Sequence, residues 1–330
     1  MSYEKIDDVT KRLLIKKNWQ NPNSLEELGY IFFGPIIFNF LCWLKNESIG
    51  SDKILFNSRE GYFLKQIVDT FNDSFKLPER IYFKTSRKLS FMISFFEKED
   101  VYNSFKLHKY KGEFKDMMLN RFNIITNENF KIDTTIQLPD LDSYMEQILN
   151  SSKRIRDEYS VYVMKSIGDS KNIIMVDNGY QGSTQYNIEK TYNLKFKGRY
   201  FTYNCANPLK DTIGFFDFAN TNLKDNFIFF ESVFIDKVGS FVDILDGKFI
   251  NENSTTTHFA EKQKIIKGIK FFIKDILKEP IDMKSFSYKF SDYLFHLMCS
   301  YGFIINDSLF ECFYHDNTYT RNFTKKINRR

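Results

Sequence analysis

Short apolar runs that end abruptly in polar turns dominate the middle of the chain, and after each turn the apolar positions recur at helical spacing. Residues 53–56 form one such run, closed by Asn57-Ser58-Arg59-Glu60-Gly61, and Tyr62, Phe63, Ile67, Val68 and Phe71 then mark one face of a helix. The pattern repeats at once: residues 80–83 are followed by Lys84-Thr85-Ser86-Arg87-Lys88 and a second apolar helix. Two strand–loop–helix units in succession predict a parallel sheet with helical crossovers. A third strand at 172–176 leads into Asp177-Asn178-Gly179-Tyr180-Gln181-Gly182-Ser183-Thr184 and a helix through Tyr192, and residues 197–203 add a fourth strand.

The flanking segments read as helices. Asn23-Ser24-Leu25-Glu26-Glu27 places a polar cap before acidic residues, the signature of a helix start. Residues 29–44 are apolar but short for a membrane span, about sixteen residues with Pro35 and Asn39 inside, against the roughly 20 that spanning requires, so a buried helix is expected. Residues 97–170 are charged, Asn-rich and mostly helical in pattern, and read as an insertion or cap. Beyond residue 206 the pattern is largely helical, above all at 260–277 and 283–298. The expectation is an α/β protein: N-terminal helices at 1–50, a core at 51–205 carrying the insertion, and a mainly helical region at 206–330.

Composition narrows the function classes. Hydrophobic residues make up 42% of 330 positions, enough for a sizeable core. The net charge of +5 arises from 47 basic and 42 acidic side chains mixed along the chain, too weak and dispersed to imply nucleic acid, while favouring a small anion or an anionic surface. Cys42, Cys205, Cys299 and Cys312 lie far apart, and Met1 is followed by polar residues rather than a secretory leader, which implies a reduced, cytoplasmic protein. Lys262, Lys264, Lys267, Lys270 and Lys274 lie along one stretch and the chain ends Lys325-Lys326-Ile327-Asn328-Arg329-Arg330; a solvated helix face and a peripheral contact with an anionic membrane both fit.

In open parallel sheets ligands bind beyond the carboxyl ends of the strands. Three polar loops are expected there. The loop from Asp177 to Thr184 can turn backbone N–H groups, two hydroxyls and a helix dipole on one anion, with Gly179 and Gly182 permitting close approach. It is neither a P-loop nor a GxGxxG turn, and a plain tight turn is the competing reading. Arg59, flanked by Asn57, Ser58 and Gly61, and the pair Arg87 and Lys88 supply charge suited to diphosphate oxygens. Together the loops describe a site for a ligand with two separated phosphates.

The 177–184 loop resembles a variant of the phosphoribosyl-diphosphate (PRPP) motif of type I phosphoribosyltransferases, and the 57–61 turn resembles their pyrophosphate loop. More closely, Leu28-Gly29-Tyr30, Gly34-Pro35, Ser58-Arg59-Glu60-Gly61-Tyr62-Phe63-Leu64, Ser86-Arg87, Asp177-Asn178-Gly179-Tyr180-Gln181-Gly182-Ser183, and Glu231 with Gly239-Ser240 resemble a bacterial polysaccharide-biosynthesis family, often fused to or encoded beside a haloacid-dehalogenase-type phosphatase, over residues 25–245. The resemblance implies a Rossmann-like parallel sheet of the phosphoribosyltransferase type. It also implies transfer of 5-phosphoribose from PRPP to a sugar hydroxyl of a surface-polysaccharide precursor, lipid-linked or free, with a partner phosphatase removing the 5-phosphate afterwards. The chain has no DxDx(T/V) phosphatase motif of its own.

On that reading the 5-phosphate lies on Gly179, Tyr180, Gln181, Gly182, Ser183 and Thr184, and the ribose hydroxyls on Asp177 and Asn178. The diphosphate lies on Asn57, Ser58, Arg59, Gly61, Arg87 and Lys88. Mg²⁺ accompanies the diphosphate, with Asp177 as its protein ligand. Glu60 is the first candidate base and Glu231 the second, although an acidic residue in a turn often only caps a helix. Tyr30, Tyr62 and Tyr180 could stack on acceptor sugars and Ser240 could bond them, but with 37 Phe and 19 Tyr most aromatics must be core. Asn178 stands where ordinary phosphoribosyltransferases carry a second carboxylate. His108, His258, His296 and His315 form no ligand-spaced pair and receive no role. A nucleobase phosphoribosyltransferase and a non-catalytic anion-binding subunit are the alternatives.

Overall fold

The computed structural model describes residues 3–17, 22–179, 181–204, 209–217, 231–252, 256 and 258–300, without the side chains of 298–300. Its centre is a five-stranded sheet built from β1 (Lys53–Asn57), β2 (Glu79–Phe83), β3 (Ile173–Asp177), β4 (Lys197–Tyr203) and β5 (Thr212–Asp217). All four pairings are parallel and the spatial order is 2-1-3-4-5. The order reverses between β1 and β3, so the crevice beyond Asn57 and Asp177 is the topological switch point, where such sheets bind ligands.

Helices α1 (Ile6–Lys16), α2 (Gly34–Glu47), α3 (Gly61–Thr70), α4 (Arg87–Ser94), α5 (Lys98–Leu107), α6 (Phe114–Phe122), α7 (Met145–Ile167), α8 (Ser183–Tyr192), α9 (Phe259–Ile276) and α10 (Tyr288–Ser300) enclose the sheet. The central strands β1 and β3 are apolar at nearly every position because both faces are covered. Ile54, Phe56, Ile174, Val176 and Phe201 enter one core with α1, α2, α3 and α9. Leu55, Phe83, Ile173 and Met175 point the other way, into a second core with the insertion and α8.

Residues 25–47 are continuously helical, with a π-turn at Gly29–Phe33 leading into α2. By length and composition this stretch could cross a membrane, yet 94% of its apolar window is buried inside the molecule. Ser24 caps it as the sequence implies, its hydroxyl accepting from the Glu27 N–H at 3.1 Å. The π-turn crosses α9 at backbone contact: a Cβ on Gly29 would overlap the Ile265 carbonyl, and one on Gly268 the Glu26 carbonyl oxygen.

Two expectations need correction. Among the described residues between 209 and 252, strands replace most of the expected helix: β5 completes the sheet and a hairpin of β6 (Phe241–Leu245) and β7 (Lys248–Asn251) follows. A boundary at 205/206 would therefore cut between two strands paired in one sheet. The insertion carries a short antiparallel ribbon, Lys111–Glu113 with Lys131–Asp133, besides its helices. The termini beyond these elements, including Cys312, His315 and the basic C-terminus, lie outside the described residues.

Candidate functional site

The carboxyl ends of β1 and β3 are joined by one hydrogen bond, from Asn57 Nδ2 to Asp177 Oδ2 at 2.7 Å. The other Asp177 oxygen accepts from the Gly179 N–H at 3.3 Å. The loops after β1 and β2 are tied together as well: the Ser58 hydroxyl bonds the Thr85 carbonyl and accepts the Thr85 N–H at 2.9 Å. Three helices begin at this edge, α3 at Gly61, α4 at Arg87 and α8 at Ser183, so their positive dipole ends converge there. Gly61 lets α3 start against the strand, since a Cβ there would lie 2.9 Å from the Phe56 carbonyl carbon.

Arg59 is the strained residue of the first loop. Its φ is +69°, a left-handed conformation costing a non-glycine residue about 1–2 kcal/mol. Its N–H donates to the Tyr82 hydroxyl at 3.0 Å, and that hydroxyl donates to Asp236 Oδ2 at 2.6 Å. Its carbonyl accepts the Asp236 N–H at 3.1 Å, and its guanidinium Nη1 donates to Ser240 Oγ at 2.8 Å. The segment 231–240 is therefore a strap over the loop.

The strap also brings Glu231 close enough to Glu60 for the two carboxyls to act on each other electrostatically. Burial and the mutual repulsion of acids raise Glu60 above the ordinary carboxylate range, against the pull of Arg59 and Arg87. Glu231 is raised by burial and by Asp177, against the same two arginines. Asp177 is pushed up to about 6 by burial and by Glu60, opposed by its Asn57 hydrogen bond. The acidic side chains thus face one another across a poorly hydrated site, with two guanidinium groups close by.

Several buried polar atoms in this cluster have no partner among the described residues. They are Asn57 Oδ1, Arg59 Nε, Thr202 Oγ1 and both side-chain polar atoms of Asn178. Asn57, Asn178 and Thr202 are 3%, 1% and 0% exposed. Thr202 lies near the end of β4 with its N–H on the Asn178 carbonyl, so these groups occupy neighbouring strand ends. Native proteins pair nearly all such groups, so their concentration here makes these strand ends a candidate site for a polar ligand.

Of the residues singled out in the sequence, Asn57, Ser58, Arg59, Glu60, Gly61, Asp177, Asn178, Gly179 and Glu231 meet at this edge, and Arg87 acts on both glutamates. Gly182, at φ +68°, caps α8, with Ser183 and Thr184 in its first turn and Gln181 half-buried before it. Tyr180 lies outside the described residues. Ser240 serves Arg59, and Tyr62 packs on Tyr82 and Phe259.

Lys88 belongs elsewhere: it is buried and donates to the Leu119 carbonyl at 2.8 Å, so it supports the insertion rather than holding an anion. Tyr30 is taken up by the helical layer, its hydroxyl on Asp275 at 3.1 Å and its ring against Phe272. On α9, Lys262 is 0% exposed and Lys267 pairs with Glu26, which breaks the expected basic stripe. Tyr82, Asp236 and Thr202 escaped sequence reasoning. Asp236 falls four residues before Ser240, and only the left-handed turn at Arg59 gives it a partner.

Among the described residues, no group of three or more His, Cys, Asp or Glu side chains is arranged to hold a metal ion. The donor set still suits magnesium, which commonly takes one or two carboxylates and leaves the rest of its sphere to water and substrate phosphates. Asp177 and the unpartnered Asn57 Oδ1 are oxygen donors of that kind. The fold and the site stand on this geometry alone, because the chain matches no family model and no curated protein.

Proposed function

We propose that the chain is a glycan phosphoribosyltransferase that moves 5-phosphoribose from PRPP to a sugar hydroxyl of a polysaccharide precursor. The observation that carries this reading is the set of unpartnered buried polar groups at Asn57, Asn178 and Thr202 beside Asp177, at the switch point and between arginines. A polyol flanked by anions satisfies amides, a hydroxyl and guanidinium groups together, and an apolar ligand satisfies none of them. The resemblance of the 58–64, 177–183 and 231–240 segments to the polysaccharide-biosynthesis family supplies the reaction class.

In this reading the 5-phosphate sits at the N-terminus of α8, over Gly182, Ser183 and Thr184. The ribose hydroxyls bond Asp177, Asn178 and Thr202, and the diphosphate meets Arg59, Arg87 and the 57–61 backbone. Asp177 and Asn57 Oδ1 would hold magnesium, which would supply charge neutralisation for the diphosphate. The acceptor hydroxyl oxygen forms a bond to C1 of the ribose as the C1–O bond to diphosphate breaks. The diphosphate leaves with the bonding electron pair, and the hydroxyl proton passes to a carboxylate. Burial raises both Glu60 and Glu231 against the pull of Arg59 and Arg87, and the ionised form of either is the group that accepts it. A cavity of about 500 Å³ lined by Trp43, Tyr203, Phe215, Phe216, Phe286 and Tyr288 runs along β5 and offers aromatic faces to an acceptor sugar. Tyr203 brings it to the Gly182 turn, where a Cβ would lie 3.3 Å from that ring.

The test is mass spectrometry of reactions containing PRPP, Mg²⁺ and a panel of synthetic glycosides. A glycoside heavier by one phosphoribosyl unit, with release of diphosphate, supports the reading. Consumption of purine or pyrimidine bases alone replaces it with a nucleobase enzyme, and no thermal shift at millimolar PRPP removes both.

A further inference from the structure

The left-handed turn at Arg59 has no glycine to relax it, and it is clasped at both ends. The Tyr82 hydroxyl accepts the residue's N–H at 3.0 Å, and the Asp236 N–H donates to its carbonyl at 3.1 Å. Tyr82 and Asp236 are themselves bonded at 2.6 Å, which closes a ring of three hydrogen bonds through residues far apart in the chain. Asp236 is buried, and its Oδ1 accepts the neighbouring Lys237 N–H at 2.6 Å, so its carboxylate is fixed on both oxygens. The Thr256 hydroxyl bonds the Asp236 carbonyl and anchors the strap from behind. Tyr82 sits on β2 with Phe56 of β1 as its register partner, so the ring hangs on the rigid sheet. Burial and the Asp236 carboxylate hold the Tyr82 phenol protonated, which keeps it a donor to Asp236 and an acceptor from Arg59.

We infer that Tyr82 and Asp236 are positioning residues for Arg59: they hold its backbone in the left-handed conformation that turns the guanidinium toward Ser240 and the diphosphate end of the site. The inference rests on the functional reading above for its ligand and goes beyond it by assigning roles to two residues outside the ligand-binding loops. Without the ring, the turn relaxes to an ordinary φ and the guanidinium leaves the carboxyl edge, while the α8 cradle keeps its geometry.

Calorimetric titration of the full chain with inorganic pyrophosphate and Mg²⁺, and separately with ribose 5-phosphate, tests it. Tyr82→Phe keeps the aromatic side chain and removes both of its hydrogen bonds; it should weaken pyrophosphate binding about tenfold, the scale of one net hydrogen bond. Affinity for ribose 5-phosphate should stay within about twofold of the wild type, a selectivity that general loosening would not produce. Asp236→Ala should reproduce the loss and Asp236→Asn, which can still accept from Tyr82, should recover part of it. Unchanged pyrophosphate affinity in both Tyr82→Phe and Asp236→Ala, or equal loss for the two ligands, overturns the inference and leaves the functional reading standing. A wild-type protein that binds neither ligand overturns both.

Discussion

Asp177 and Asn57 end adjacent strands, and the bond between them puts a carboxylate and an amide where ligand hydroxyls can reach both. Asp177→Ala is expected to lower transfer by at least about 100-fold, and Arg59→Ala by a similar factor, with a far-ultraviolet spectrum close to wild type. Wild-type turnover in either variant removes that residue from the site. Glu60→Gln should depress turnover more than donor affinity if Glu60 takes the acceptor proton; an unchanged rate returns it to a structural role beside Glu231. At this scale the sequence was legible wherever a polar group closely follows an apolar run, as at Asn57, Glu60 and Asp177, which do meet at one sheet edge. It misled at Lys88, because one step along α4 turns a side chain from the site into the core. Tyr82 and Asp236 were unreadable for a different reason: their role depends on a positive φ at Arg59 and on contacts spanning more than 150 residues.

Among the elements, the strap and the glycine crossings hold the site in place. Gly182 combines a φ of +68° with a neighbour, Leu209 Cδ1, that would lie only 2.5 Å from a Cβ there. Gly182→Ala should therefore cost about 1 kcal/mol and weaken binding of ribose 5-phosphate, which calorimetry would read. Gly268→Ala has the opposite profile. It forces α9 off the Glu26 carbonyl, a loss of about 1–3 kcal/mol seen as a lower denaturation midpoint, while donor affinity per folded molecule stays at the wild-type value. Strands β1 and β3 were legible because burial on both faces leaves a near-continuous apolar run. The edge strand β5 was not, since Gly214 interrupts Thr212–Asp217. Its identity comes from pairing with β4 rather than from its own residues.

For the whole molecule, the acidic cluster sets a pH dependence. Asp177, Glu60 and Glu231 all titrate above their unfolded values, so the folded chain binds protons more tightly than the unfolded one. Their contribution to stability is present below the unfolded carboxylate range of about 4 and is lost as pH rises through about 6, where Asp177 ionises. The ligand-free protein should accordingly lose several degrees of melting temperature between pH 5 and pH 8, and Asp177→Asn should flatten that slope. A slope identical in the variant would mean that the cluster does not control it. The central claim is that the switch point between β1 and β3 holds an activated pentose anionic at both ends. A crystal grown with PRPP and Mg²⁺ tests it most directly: density for the ribose should lie between Asp177 and Asn178, with the diphosphate toward Arg59 and the 5-phosphate over Gly182. Those strand ends left empty while PRPP binds elsewhere would contradict the account.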